Sequence, residues 1–160
     1  MSIDPQQTVY YKRARFTTRL PVDRLYAQAH FWLAEETPGT WRIGCTRFAT
    51  RMLGDFVELR FDVAAGEALE VGQTIGCIEG FKAVSDIYSV AEGEFAGSNS
   101  ELERDPTLLD RDPYDSGWLY RVRGRPAESA VDVHGYIALL DATVDRMLGE
   151  QQQKAKENQC

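Results

Sequence analysis

The sequence predicts a mainly β domain, a small antiparallel sandwich or barrel with accessory helices, on three observations. Short apolar runs cut by glycines fill residues 57–90, and strands so closely spaced build a sandwich or barrel rather than a parallel sheet with crossover helices. One amphipathic stretch near the carboxyl end repeats Val133, Ile137, Leu140, Val144 and Met147 at spacings of four and three, which makes one helical face apolar. The chain of 160 residues suits one ordinary domain with a real core and is too short for two.

In chain order, residues 1–8 read as a flexible lead-in, 9–150 as the single domain and 151–160 as a disordered tail. The segment RFTTRLPVDRLYAQAHFWLAEE alternates apolar and polar residues in places and ends at the turn signal Thr37-Pro38-Gly39. Phe31-Trp32-Leu33 and Trp41-Arg42-Ile43 are expected strands on either side of that turn. Arg47 to Leu53 lacks Gly and Pro and sets Phe48, Ala49, Met52 and Leu53 at helical spacing before Gly54, so a short helix is expected there. Further strands are expected at Val57 to Phe61, Thr74 to Glu79, Ala83 to Tyr88, Gly93 to Ala96 and Trp118 to Val122. Val71 to Gly76 and Glu92 to Gly97 echo one another in their glycine spacing, which leaves open two quasi-equivalent halves or chance. The last helix is expected near 133–148, lying on the barrel and stopped by Gly149.

Composition narrows the function classes. A hydrophobic share of 43%, a charged share of 27% and no long apolar run describe an ordinary globular chain without a membrane span. The first dozen residues carry neither a basic nor an apolar signal region, which favours the cytoplasm. A net charge of −7 argues against nucleic acid. Charge is uneven, though: Lys12, Arg13, Arg15, Arg19 and Arg24 make the amino-terminal segment basic, whereas Glu92 to Asp115 is acidic, either as a docking face for protein partners or as a solvated surface. Cys45, Cys77 and Cys160 show neither CxxC nor Cys/His spacing, so no metal site or disulfide framework is indicated. His30 and His134 are the only histidines, and no Ser/His/Asp or Cys/His constellation is apparent. His30 is expected to pack or hydrogen-bond, and His134 to open the final helix.

Within CIEGFKAVSDIYS a single lysine, Lys82, stands between two strand-like runs. Glu79 and Asp86 flank it, and carboxylates favour the charged form, so a general-base or Schiff-base role is not indicated. A solvated lysine with no task is the plain alternative, but Phe81 and Ala83 are odd neighbours for a merely solvated bend.

Here the chain resembles the lipoyl-carrying H protein of the glycine cleavage system, over about His30 to Val122. Glu79-Gly80-Phe81-Lys82-Ala83-Val84-Ser85-Asp86 is similar to the family's Glu-Ser-Val-Lys-Ala-Val-Ser-Asp tip. Gly44-Cys45-Thr46-Arg47-Phe48-Ala49 and Leu53-Gly54-Asp55 match its short helix and exit. Asn99, Leu102, Asp105-Pro106, Leu109, Asp112-Pro113-Tyr114 and Gly117-Trp118-Leu119 match its acidic loop and return strand. The resemblance implies a hybrid barrel-sandwich of two small antiparallel sheets, with lipoate joined by an amide to Lys82 on a hairpin. It also implies that Glu79, Gly80, Phe81, Ala83 and Asp86 are read by the lipoate ligase or lipoyl transferase. The protein would then be a carrier whose swinging dithiolane arm moves an intermediate between partner enzymes, with no catalytic residues of its own, reoxidised by dihydrolipoamide dehydrogenase. A monomer is expected, since no exposed heptad or long edge strand demands self-association. Biotin carriers favour Met-Lys-Met at the tip, and the shorter lipoyl domains of 2-oxoacid dehydrogenases lack this acidic loop and terminal helix.

The match departs at His30-Phe31-Trp32, where the family usually has His-Glu-Trp, and at Gly80-Phe81, where it has Ser-Val. Gly80 is expected to loosen the backbone beside the tip, and Phe81 to offer an aromatic surface. With the long stretch before His30, these features resemble the divergent lipoate-binding proteins of heterodisulfide-reductase-like sulfur oxidation. They incline the reading to a sulfur client, with glycine cleavage as the alternative and an unmodified interaction module behind both.

Overall fold

In the strand Phe31–Thr37 the apolar run Phe31-Trp32-Leu33 is buried without interruption, and period-two geometry then requires cover on both faces. The computed structural model, which describes residues 7–157, supplies that cover. Phe31 and Leu33 point into one core, with Ile43, Ile75, Ile78, Ile87, Leu119 and Val122. Trp32 points into a second, with Tyr26, Phe48, Tyr136, Leu140 and Val144.

The strands are β1 (Thr8–Arg13), β2 (Phe16–Pro21), β3 (Leu25–Tyr26), β4 (Phe31–Thr37), β5 (Thr40–Cys45), β6 (Phe56–Phe61), β7 (Ala68–Leu69), β8 (Thr74–Gly80), β9 (Val84–Tyr88), β10 (Ala91–Ser98) and β11 (Tyr120–Pro126). The helices are α1 (Arg47–Leu53), α2 (Glu101–Arg104), α3 (Leu108–Arg111) and α4 (Val133–Glu157). All pairings are antiparallel: a β1-β2 hairpin, a six-stranded sheet ordered β3-β4-β5-β11-β10-β7, and a three-stranded sheet ordered β6-β8-β9. The two larger sheets share the first core and do not close into a barrel. The second core lies between the six-stranded sheet and a cover made of α1, α4 and the β1-β2 hairpin. Among the described residues there are thus three sheets where two were expected. The extra one arises because residues 8–21 pair only with each other.

Strands and helix α1 fall close to their expected places, and three expectations change. Gly149 does not stop α4, which runs on to Glu157 through most of the expected tail. Gln151, Gln152, Gln153 and Lys154 are good helix formers that offset the roughly 1 kcal/mol cost of an internal glycine, and residues 158–160 lie outside the described residues. The lead-in ends earlier than expected, because Thr8 already pairs with Pro21; residues 1–6 lie outside the described residues. The glycine echo does not mark equivalent halves. Its first copy is a turn that runs into the first residues of β8, while its second lies wholly inside β10.

The acidic stretch does structural work. The buried Asn99 side-chain amide donates to the carbonyls of Ser116 and Trp118 at 2.8 and 2.9 Å. Asp105 pairs with Arg111, Asp115 with Arg42 and Glu92 with Arg125. The Tyr114 hydroxyl accepts from the Arg47 backbone N–H at 2.9 Å, which seats the loop against the start of α1. No helix among the described residues is long and apolar enough to cross a membrane.

Candidate functional site

Strands β8 and β9 form a hairpin with Glu79 opposite Val84, Ile78 opposite Ser85 and Cys77 opposite Asp86. At its end the Gly80 N–H donates to the Ala83 carbonyl at 2.9 Å, leaving Phe81 and Lys82 at the tip. Both tip residues, Ala83 and Asp86 are exposed; Phe81 retains 81% of its surface. Glu79 is half-buried and Gly80 buried.

The tip is braced by the exit of α1. Thr46 caps the helix start, accepting from the Ala49 N–H. At the other end Gly54 takes φ 76°, a left-handed conformation that ends the helix. That exit aims two backbone carbonyls at the hairpin: Lys82 N–H donates to Leu53 O at 2.8 Å and Phe81 N–H to Asp55 O at 2.9 Å. A terminal helix carbonyl, which has no partner within its own helix, is thereby satisfied by the tip. The contact is tight on both sides. A Cβ added at Gly80 would lie 2.2 Å from Leu53 O, and one at Gly54 would lie 2.8 Å from Lys82 Cγ. Gly80, expected to loosen the backbone, instead permits two segments to touch. The Lys82 backbone is therefore fixed while its amine has no ion-pair partner among the described residues.

Beside the tip lies an apolar cleft of about 250 Å³, walled by Phe31, Phe48, Met52 and Leu53 on one side and by Ala83, Ser85, Asp86 and Tyr88 on the other. Phe31, standing where the resemblance leads one to expect Glu, is buried at 6% exposure and makes that wall apolar. His30 turns away from the lysine. Its Nδ1 lies 2.8 Å from the Tyr136 hydroxyl, which is also 2.8 Å from the Thr46 hydroxyl. Burial, helped by the charge of Arg146, lowers its pKa to about 4, so it is a neutral packing group. His134 is exposed at the start of α4. Burial raises the Cys45 thiol to about 12. Cys77 is half-buried, Cys160 lies outside the described residues, and these residues hold no cluster able to bind a metal.

Sequence reasoning missed Leu53, Gly54 and Asp55 as the brace, and Met52, Val84 and Tyr88, exposed at 44%, 65% and 45%, as apolar surface around the tip. The alternation of Val84, Asp86 and Tyr88 with the buried Ile87 carried that signal. The brace left no comparable mark, since the resemblance matched Leu53-Gly54-Asp55 only as a helix exit.

Fold and site together define a class: a β-sandwich domain that displays one lysine on a braced hairpin. The sequence model of the glycine cleavage H-protein family matches residues 24–138. The glycine cleavage system H protein of Pseudoalteromonas atlantica is 40% identical over 124 residues, covering 74% of this chain and 94% of the relative. That of Idiomarina loihiensis is 36% identical over 129 residues, covering 78% and 98%. The crystal structure of a glycine cleavage system H protein from Mycobacterium marinum matches with a TM-score of 0.67 and 31% identity, covering 74% of this chain and 97% of that one. The chain belongs to the glycine cleavage H-protein family. Proteins of this family are carriers rather than enzymes and bear lipoate covalently on a lysine. The inclination to a sulfur client and a heterodisulfide-reductase-like partner finds no support in these relatives. The long amino-terminal stretch that encouraged it has a structural task, closing the second core through Tyr11, Phe16 and Leu20.

Proposed function

We propose that Lys82 is the lipoylated residue and that the protein serves the glycine cleavage system, carrying its intermediate between that system's enzymes. The observation that carries this reading is the lone exposed amine on a tip whose backbone is held by the Leu53 and Asp55 carbonyls, within the matched family region. The residues present fit the group. The Lys82 amine is open to a ligase, its Cγ rests against Gly54 so that the stem leaves in a defined direction, and no side chain ion-pairs with it among the described residues. When bound, lipoate supplies a dithiolane for thiol–disulfide exchange and for holding a fragment on sulfur. The chain's part is presentation. The fixed hairpin gives each enzyme one repeatable landmark, and tethering makes each transfer within a docked complex effectively intramolecular. The modifying enzyme reads Glu79, Phe81, Ala83 and Asp86 beside the lysine, while Gly80 contributes by its close fit. Lipoate ligase or lipoyl transferase, the glycine cleavage enzymes and dihydrolipoamide dehydrogenase are the partners.

Intact-mass measurement after incubation with lipoate ligase, ATP and lipoate tests the site. A gain of one lipoyl group is expected in the native chain and none in Lys82→Arg; a gain in the variant would place the modification elsewhere. Exchange of the glycine carboxyl with carbon dioxide by the pyridoxal-phosphate decarboxylase tests the client. The lipoylated protein should support it, and failure with fully lipoylated material would exclude glycine cleavage.

A further inference from the structure

A second groove, of about 750 Å³, runs between the β1-β2 turn, α1 and the carboxyl half of α4. It adjoins the cleft beside Lys82, since Phe48 and Met52 line both. Apart from Phe48, Arg51 and Met52, its lining lies outside residues 24–138, which the family model matches. Its walls are apolar, formed by Phe16, Met52, Val144 and Leu148 among others, with Met52 and Leu148 still 44% and 38% exposed.

Charge marks it further. No carboxylate lines the groove, and two exposed arginines do, Arg15 on the β1-β2 turn and Arg51 on α1. Neither has a carboxylate partner among the described residues, whereas Arg13, Arg111 and Arg121 are each paired. The Arg51 guanidinium sits 5.7 Å from the centroid of the Phe16 ring, keeping the cation against the apolar wall. Arg15 follows Ala14, which holds φ 53° in a two-residue turn, a conformation that non-glycine residues seldom adopt. In a chain of net charge −7, two uncompensated cations on different walls of an apolar groove reverse the local charge.

We propose that this groove docks an acidic amphipathic helix of a partner protein. Such a helix lays an apolar face on Phe16, Met52, Val144 and Leu148 while carboxylates on its flanks meet Arg15 and Arg51. An anionic bilayer fits less well, because the surface is concave and the molecule as a whole is negative. The proposal does not depend on lipoylation, so its test uses the unmodified full chain.

The probe is a synthetic 18-residue helix with leucine on one face and glutamate elsewhere, titrated into isotopically labelled protein by NMR. Saturable shifts confined to Phe16, Arg51, Met52 and residues 144–151 are expected. Affinity should fall on the order of tenfold or more in the double variant Arg15→Glu, Arg51→Glu, with the milder Arg15→Gln, Arg51→Gln pair intermediate and both variants keeping the native amide spectrum elsewhere. Equal binding of the lysine-for-glutamate peptide, shifts at another surface, shifts produced instead by phosphatidylglycerol vesicles or by decanoate, or self-association through this face would each overturn the proposal.

Discussion

His30 shows how a residue that looks chemically useful becomes structural. It holds φ 67° between β3 and β4, lies tilted against Phe48 at 4.5 Å between ring centroids and shares the Tyr136 hydroxyl with Thr46. Tyr136 therefore ties α4 to the capping residue of α1. Burial first, and the Arg146 charge second, lower the imidazole from 6.5 to about 4. A lowered folded-state value means that the unfolded chain binds the proton more readily, so stability from this group is present above pH 6.5 and lost as pH falls through 4. The full loss is on the order of 3 kcal/mol. Asparagine tolerates the left-handed backbone, so His30→Asn isolates the titration. Urea unfolding between pH 7 and 4 should show the native protein losing stability more steeply than His30→Asn by about that amount; parallel profiles would show that the imidazole is not kept neutral by the fold.

Among the elements, α1 and the β8-β9 hairpin form one unit. The loop of α2 and α3 seats the start of α1 through Tyr114, and the end of α1 supplies the carbonyl that holds Lys82. Gly80 is where the unit is tightest, since a methyl group there would meet the Leu53 carbonyl oxygen at 2.2 Å. Any residue with a Cβ would need the helix exit to stand farther from the hairpin, so Gly80 and the close approach go together. Gly80→Ala should destabilise by about 1–3 kcal/mol through overpacking and slow lipoylation by displacing the tip, as read by urea titration and a time course of intact mass. Unchanged rate and stability would mean the brace is not needed. Much of this unit was legible in sequence. Phe48, Leu53 and Gly54 predicted α1, the runs around Lys82 predicted the hairpin, and Thr37-Pro38-Gly39 placed β4 and β5. The contact between Gly80 and Leu53 was not legible, because a contact between residues so far apart in the chain leaves no local pattern. Nor were β1 and β2, whose turn uses Ala14 instead of the glycine or asparagine that usually marks a tight hairpin. Helices α2 and α3, four residues each, are too short for periodicity to register.

At the scale of the molecule, the six-stranded sheet has a core on each face, and the two cores have different tasks. The first, under the three-stranded sheet, includes Ile78 on the strand that leads to the tip and lies within the family-matched region. The second is finished by parts beyond that region: Tyr11 donating to Asp141 at 2.9 Å, Arg13 paired with Asp145, and Leu140 and Val144 packed with Trp32 and Phe48. Removing a fully buried aliphatic side chain from either core costs about 2–5 kcal/mol, so stability alone does not separate them. Modification does. Ile78→Ala opens a void under the hairpin that presents Lys82, whereas Leu140→Ala opens one beneath α4, separated from β8 by the six-stranded sheet. At a temperature where both variants remain folded, matched losses in urea stability should accompany a lower lipoylation rate for Ile78→Ala and a smaller reduction for Leu140→Ala, which reaches the tip only through Phe48 of α1. Equal slowing of the two would show that the covering layer controls the tip as strongly as the core beneath it, and the division into a presenting body and a covering layer would have to be abandoned.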